Sequence, residues 1–340
     1  LSLIIFFFST TKAKGKGFEI KDIEISQPFE MNFNKARVID DGFKKAFLEL
    51  ISLIVNSSDQ KKINKIKLNE IKGMIDSFSI KEEEFIDEIY YVNLGVSFNK
   101  KRVFNYLEKK NIFPSNPSEK KILFIPIIID ENKKDLLIFD NNEFFDEWNN
   151  IVESYHLIEY ILPTEDLEDL NIVERNYEII EEYDFKEIIN KYSLEDAVVT
   201  LIFKNKKDLR ILSKIYFQNK VILKNQSFID IDMDNIDQIH DVISSLKVIY
   251  EDYWKDLNQI NTSIRLSLKV KINNSNNEKI LKFEDILDNT DLIYDYSISK
   301  FDQNFIYFNI VFNGTPDSFL ESMNENNFNF DTQNQIWVLK

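Results

Sequence analysis

Hydrophobic and polar positions follow two different periods along this chain. Apolar residues spaced three or four apart predict long amphipathic helices at 33–55 and 235–258. An apolar run at 89–98 and strict alternation at 264–272 and 306–312 predict strands. The mixture predicts an α+β protein of two or three modules, with mixed or antiparallel sheets and helices packed on one face of each sheet.

Polar and proline-containing connections predict where these modules begin and end. The first, at 18–113, has the order strand, helix, helix, strand, strand, helix and ends before Pro114. A small α/β middle module follows at 120–195, and an α+β module occupies 196–340. A slip in the alternation of the first strand, at Lys21 and Asp22, predicts a bulge there.

Two residues are unusual for the helix and the strand in which they are predicted to lie. Gly42 lies inside the first long helix, where it costs about 1 kcal/mol relative to alanine, so we expect a close neighbour against that face. Pro126 interrupts the apolar run Ile122–Ile129, which is typical of a strand buried on both faces. Because proline cannot donate to a ladder, we expect an edge or a bulge at this point.

A strand-strand-helix pattern occurs twice, at 85–113 and 292–323. In both copies an apolar strand is followed by a turn-forming asparagine, Asn99 or Asn313, and then by a helix. Internal duplication and independent packing of two α+β units both explain the pattern.

Charge and cysteine content narrow the classes of function. The 340 residues include 58 acidic and 42 basic side chains, for a net charge of -16, which disfavours a broad nucleic-acid surface. The absence of cysteine excludes disulfides, thiolate zinc sites and cysteine nucleophiles. No glycine-rich phosphate loop stands between a strand and a helix, so no cofactor is predicted.

The first residues have the character of a targeting segment. Leu1–Phe8 is an uncharged apolar run, and the small residues Thr11 and Ala13 follow it, which predicts a residual signal peptide at 1–13. A buried first strand is the alternative. No later run reaches the roughly 18 uncharged apolar residues of a membrane span. We therefore expect a soluble, exported, periplasmic protein whose mature chain does not cross the membrane.

A string of aspartates at 230–241 raises the possibility of calcium binding. Asp230, Asp232, Asp234 and Asp241 occupy positions one, three, five and twelve of an EF-hand loop, although Asn235 stands where that loop needs glycine. The same residues also fit a strand with its aspartates toward water, followed by a helix that Asp234 caps.

A second acidic group surrounds a predicted helix start at Thr164. Asp166 and Asp169 are the candidate acid and base of a hydrolase acting on an envelope polymer. Neighbouring positions on one helix cannot face each other across a sugar ring, and favourable interaction with the helix dipole is the alternative. The two histidines, His156 and His240, are far apart in sequence, and His240 adjoins the predicted buried face of its helix.

Short motifs throughout the chain resemble an uncharacterised family of exported proteobacterial proteins, a domain-of-unknown-function family. The matching residues are Ala36, Gly42, Phe43, Ala46 and Leu50; Tyr91, Val92, Leu94, Val96 and Phe98; Ile125 and Pro126; Trp148; Pro163, Asp166, Leu167 and Asp169; and Trp337, Val338 and Leu339. The resemblance implies an exported protein without known activity, and it supplies no catalytic residues.

These observations favour a non-catalytic protein that binds a protein partner in the cell envelope. The order of elements in the first module looks like that of small envelope modules that recruit partners by strand addition at a sheet edge. We expect the recruiting edges near Phe18–Ile25 or Trp337. An envelope-polymer hydrolase and a calcium-binding module are the alternatives.

Overall fold

The computed structural model describes residues 18–63, 65–151, 156–260, 265–290 and 292–340. They form two compact units: a terminal unit, made of the chain up to Pro117 together with Lys255–Lys340, and a central unit, Ser118–Trp254. Three antiparallel or mixed sheets confirm the α+β class. The predicted signal peptide at 1–13 lies outside the described residues.

The first module of the terminal unit has the predicted order of elements, with one additional short helix at 57–60. Its elements are β1 (Glu19–Pro28), α1 (Lys35–Ile54), α2 (Ser57–Gln60), α3 (Leu68–Met74), β2 (Ile75–Ile86), β3 (Ile89–Phe98) and α4 (Lys100–Lys109). The sheet has the antiparallel order β1-β3-β2. Alternate residues of β3, including Val92, Leu94 and Val96, are buried, as the apolar run predicts.

Both local irregularities predicted for this module are confirmed. A methyl group on Gly42 would collide with Leu94 Cδ1, so a larger residue there would fit only if the Leu94 side chain moved. The register of β1 shifts between Ile20 and Ile23, and Asp22 there has a φ of 59°. The bulge therefore lies where the alternation slips.

The central unit is built on one mixed sheet. Its elements are β4 (Lys120–Asp130), β5 (Asp135–Leu137), α5 (Glu143–Glu147), β6 (Ile158–Ile161), α6 (Leu167–Arg175), α7 (Lys186–Lys191), β7 (Ala197–Asn205), β8 (Asp208–Phe217), β9 (Lys220–Phe228) and most of α8 (Ile236–Leu257). The strand order is β5-β4-β7-β8-β9, with β6 also paired to β4. The expected module boundary between 195 and 196 is wrong, because β4 and β7 pair in parallel across it.

The central strand β4 is buried on both faces, as predicted. Leu123 and its alternate neighbours pack under α6 and α7, whereas the ring of Phe124 stacks 3.6 Å from that of Trp148 on the other side. Helices therefore cover both faces of this sheet, and not only one face as predicted. Pro126 lies after the last residue paired with β6 and before the first paired with β5. The proline thus occupies a local edge, where Asn142 Nδ2 donates to its carbonyl at 3.0 Å.

The second module completes the terminal unit and repeats the topology of the first. Its elements are β10 (Leu266–Asn273), α9 (Asn277–Asn289), β11 (Ile293–Phe301), β12 (Phe305–Phe312), α10 (Pro316–Glu325), β13 (Phe330–Asp331) and β14 (Trp337–Leu339). Here β10 pairs antiparallel with β12, and β12 with β11, as β1, β3 and β2 do in the first module. The repeated pattern therefore includes the strand and helix that precede each hairpin.

Candidate interaction surface

The outer strands of the three sheets differ in how regular they are. An outer strand presents one row of backbone N–H and C=O groups that another chain can pair with. Within the described residues these strands are β1 and β2 in the first module, β9 and the short β5 and β6 in the central unit, and β11 and the two-residue β13 in the second module. Strand β14, which contains Trp337, lies between β10 and β13. Trp337 itself pairs with Val270 of β10 and has no partner in β13, so the edge expected there is limited to a local one.

Strand β9 forms the longest uninterrupted edge in the part of the chain that the structure describes. All nine of its residues pair with β8 without a register shift. None of them is buried, and the side chains of Val221 and Leu223 are 49% and 56% exposed. Apolar side chains in this position are unusual on an edge that is not covered by a partner.

The turn before β9 determines which backbone groups face outward. Gln218 and Asn219 form a two-residue connection and both have positive φ, 51° and 61°, which is the type I′ hairpin. Phe217 and Lys220 are then the hydrogen-bonded closing pair. Because pairs alternate along an antiparallel ladder, the outward backbone groups belong to Val221, Leu223, Asn225 and Ser227.

The two edges of the first module are interrupted. The predicted edge strand β1 is at the edge of its sheet, but it contains the bulge at Asp22 and ends at Pro28. Strand β2 has twelve exposed or half-buried residues, among them Phe78 and Phe85. Its register shifts twice, after Ile75 and after Ile80. Such bulges bend an edge away from a second strand.

The predicted acid-base pair is held by a lysine. Lys191 Nζ lies 2.8 Å from Asp166 and 2.7 Å from the buried Asp169, which also accepts a hydrogen bond from the Tyr192 hydroxyl at 2.8 Å. The hydrogen bond from Lys191 lowers the pKa of Asp166, whereas a catalytic acid needs a raised one. The carboxylates do converge, but their geometry is that of an ion-pair network joining α6 to α7.

Asp166 also caps α6, which corrects the predicted helix start at Thr164. Its Oδ1 accepts the backbone N–H of Glu168 at 2.8 Å. The start of α8 is corrected in the same way, since Asn235 Oδ1, rather than Asp234, accepts the N–H of Asp237 at 3.1 Å.

The aspartates proposed as calcium ligands either contact other groups of the protein or are exposed. Lys207 Nζ is 3.8 Å from Asp230 and 4.0 Å from Asp232. Asp234 donates its backbone N–H to Asp232 Oδ1 at 3.2 Å, and Asp241 is exposed on α8. Among the described residues, no three acidic or histidine side chains lie close enough together to hold a metal ion. The geometry gives the calcium hypothesis no support.

The sequence matches no protein-family model and no curated protein. The resemblance to an exported uncharacterised family therefore stays a prediction. No helix among the described ranges is long and apolar enough to cross a membrane.

The polar residues on the buried face of α8 were missed by the sequence analysis. Tyr250 is fully buried, its hydroxyl lies 2.8 Å from Thr200 Oγ1 and 2.6 Å from Ser213 Oγ, and burial raises its pKa to about 12. Glu251 accepts the backbone N–H groups of Leu157 and Ile158 at 3.0 and 2.8 Å. Glutamate is rarely buried unless paired, and a single sequence carries no signal of such a partner.

The two histidines contact different glutamates. His156 Nδ1 is 3.5 Å from Glu251, and His240 Nε2 is 2.9 Å from Glu147, whose pKa this hydrogen bond lowers. His240 is only partly buried, at the margin of its helix face, as expected.

Proposed function

We propose that this chain is a non-catalytic protein-binding module that recruits its partner by strand addition at β9. The observation that carries the proposal is the unbulged nine-residue edge with exposed Val221 and Leu223. Backbone pairing along such an edge provides affinity, and alternate side chains provide specificity. The proposal replaces the edges expected near Phe18–Ile25 and Trp337.

The side chains of β9 indicate which partner segment fits. Val221 and Leu223 project on one face of the sheet, where an added strand would place its own apolar residues beside them. Lys220 and Lys224 alternate with them on the opposite face and are exposed. The complementary partner is an extended segment that alternates apolar with acidic residues.

We place this function in the periplasm. The placement rests on the apolar run Leu1–Phe8 and on the family resemblance. The hydrolase alternative has no comparable support, because Lys191 engages both of its candidate carboxylates.

A proline substitution tests the strand-addition mode directly. Asn225→Pro removes an outward N–H that does not pair with β8, and edge strands tolerate proline. Asn225→Ala is the matched control, because it shortens the same side chain and keeps the N–H donor. A photo-crosslinking residue placed at Ser227 in intact cells, followed by mass spectrometry, reports on partner capture.

We expect one reproducible adduct from the parent chain and from Asn225→Ala, and its loss in Asn225→Pro. Equal adducts in all three proteins, or no reproducible adduct in the parent chain, would rule out strand addition at β9. Circular dichroism of the purified proteins verifies that the proline variant is folded.

A further inference from the structure

The sequence of the β9 edge complements itself when it is reversed. From Lys220 to Asp230 the chain reads KVILKNQSFID, with Asn225 at its centre. In an antiparallel pair of identical strands, residues at equal distance from the two-fold axis stand opposite each other. Three such pairs match in character: Lys220 with Asp230, Val221 with Ile229, and Ile222 with Phe228. Strand β9 therefore presents matching residues to a second copy of itself.

The backbone of β9 is suited to receive this second strand. Its outward groups belong to alternate residues, and Asn225 is one of them, so Asn225 of two copies can form a hydrogen-bonded pair on the two-fold axis. Leu223 of each copy then pairs with Ser227 of the other. All nine residues of β9 pair with β8 without a register shift, so no bulge bends the edge away from an added strand.

The apolar side chains that this pairing covers are exposed in the single chain. Leu212 and Tyr216 of β8 belong to the core under α6 and α7, whereas Val221 and Leu223 of β9 lie beyond it. Ile229, directly after β9, is 79% exposed. The pairing places Ile229 beside Val221 of the other copy, and cross-strand apolar pairs of this kind stabilise a sheet. Apolar surface is therefore removed from water at both ends of the paired strands.

Charge favours this register over the neighbouring ones. With Asn225 at the centre, Lys220 lies opposite Asp230 at both ends of the pair. Lys224 then lies opposite the uncharged Gln226. With the centre one residue earlier, Lys224 would lie directly opposite its own copy, which is destabilising. With the centre one residue later, the pairing would extend past Asp230, where a φ of 59° ends the regular strand.

Three charge effects limit the strength of this pairing. Lys207 Nζ already lies 3.8 Å from Asp230, although both side chains are exposed. Lys224 is a diagonal neighbour of Lys224 in the other copy, and the net charge of -16 repels two copies as a whole. The expected pairing is therefore reversible.

We propose that, in the absence of its partner, the chain forms a dimer in which β9 pairs with β9 of a second copy about a two-fold axis at Asn225. The inference rests on the proposed function, because the same edge receives the partner. Each complex uses the same outward backbone groups, so the dimer and the partner complex exclude each other. The contact is isologous, so association stops at the dimer. Dimerisation thus regulates access to the partner-binding edge.

Disulfide formation in the purified full chain tests the register, because the chain has no cysteine of its own. The Cα atoms of a hydrogen-bonded pair lie about 5.5 Å apart, within the range of a disulfide. We expect Asn225→Cys to form a disulfide-linked dimer on mild oxidation. Val221→Cys is the matched control, since its own copy lies about 27 Å away along the strand. An equimolar mixture of Val221→Cys and Ile229→Cys should form the mixed disulfide.

Sedimentation velocity measures the strength of the dimer. We expect the parent chain and Asn225→Ala to show a monomer–dimer equilibrium without larger species. Asn225→Pro should dimerise at least about tenfold more weakly, because it removes the N–H donors at the axis. Lys224→Gln should strengthen the dimer severalfold, because it removes the diagonal repulsion.

Reversal of the terminal charges tests the two ends of the pair. Lys220→Asp and Asp230→Lys should each weaken the dimer severalfold, and an equimolar mixture of the two should restore it, because opposite charges face each other again. The φ at Asp230 is one that Lys134 and Lys206 also adopt, so lysine is tolerated there. Lys133→Asp makes the same charge change in the exposed turn before β5, at the opposite edge of the sheet, and should have no effect.

A purified parent chain that stays monomeric at every concentration would overturn the inference. So would Asn225→Cys that forms disulfides no faster than Val221→Cys, when both retain the parent's circular dichroism spectrum. Neither result affects the proposed function, which fails instead if no second protein is captured in cells. In that crosslinking experiment an adduct of the chain with itself contains only peptides of this chain, whereas a partner adduct contains peptides of another protein.

Discussion

The two modules of the terminal unit share one topology but pack their helices differently. In the first, α1 lies against β3 so closely that Gly42 contacts Leu94. In the second, α9 contacts its sheet through aromatic rings, with the centres of Phe283 and Phe308 5.5 Å apart. The same strand order therefore accommodates a close helix or one held off by a ring layer.

Truncating an aromatic ring in the core of the second module should have the largest effect on stability. Phe283→Ala removes a side chain that is fully buried and contacts the rings of Phe308, Phe328 and Phe330. We expect the free energy of unfolding to fall by about 3–5 kcal/mol. Urea denaturation followed by circular dichroism measures it, and hydrogen exchange in β12 localises it. Leu281→Ala, on the exposed side of α9, should change it by about 0.5 kcal/mol or less.

Adding a methyl group where α1 lies close to β3 in the first module should have the next largest effect on stability. Gly42→Ala adds a methyl group against Leu94, and we expect a loss of about 1–3 kcal/mol from overpacking. Helix propensity alone would predict a gain of about 1 kcal/mol. Gly73→Ala in α3 is the matched control, because no atom lies within 4 Å of the added methyl. Equal stabilisation by both substitutions in urea denaturation would show that α1 is not confined.

Removing the helix caps that follow β3 and β12 should have a smaller effect on the free energy of unfolding. Asn99 Oδ1 accepts the N–H of Arg102 at 2.9 Å, and Thr315 Oγ1 accepts that of Ser318 at 3.3 Å. Asn99→Ala and Thr315→Ala should each cost about 1 kcal/mol in urea denaturation. Asn99 also donates to Asp76, so its replacement should cost more. Asn99→Ser keeps a capping oxygen without placing a second carboxylate against Asp76, and it should recover part of the loss. A Thr315 effect larger than that of Asn99 would contradict this ranking.

The smallest effect concerns an ion pair across the first sheet. Lys81 Nζ lies 2.8 Å from Asp22, and its hydrogen bond lowers the pKa of that carboxyl below 3.8. Because the folded pKa is the lower one, the contribution to stability is present above pH 3.8 and is lost as pH falls through the folded value. Urea midpoints of the parent chain and Asp22→Asn should therefore converge at low pH. A constant difference between them would exclude this pair as the source.

Much of the fold could be predicted from local pattern. Side-chain spacing within one or two turns or within one strand predicts the helical periods of α1 and α8, the bulge at Asp22 and a close neighbour of Gly42. Helix starts were displaced by one or two residues at Asp166 and Asn235, because several adjacent Asp, Asn and Thr side chains can cap. The boundary at 195 could not be found locally, since parallel strands pair across long connections.

The sequence by itself determined which segments are helices and strands and which of their faces are apolar, because these depend on side-chain spacing within a segment. Tertiary structure decided that β9 is an uninterrupted edge while β14, which contains Trp337, lies between two other strands. It also decided that Lys191 joins Asp166 to Asp169. These features depend on strand order and on contacts between residues far apart in the chain, which no local spacing records.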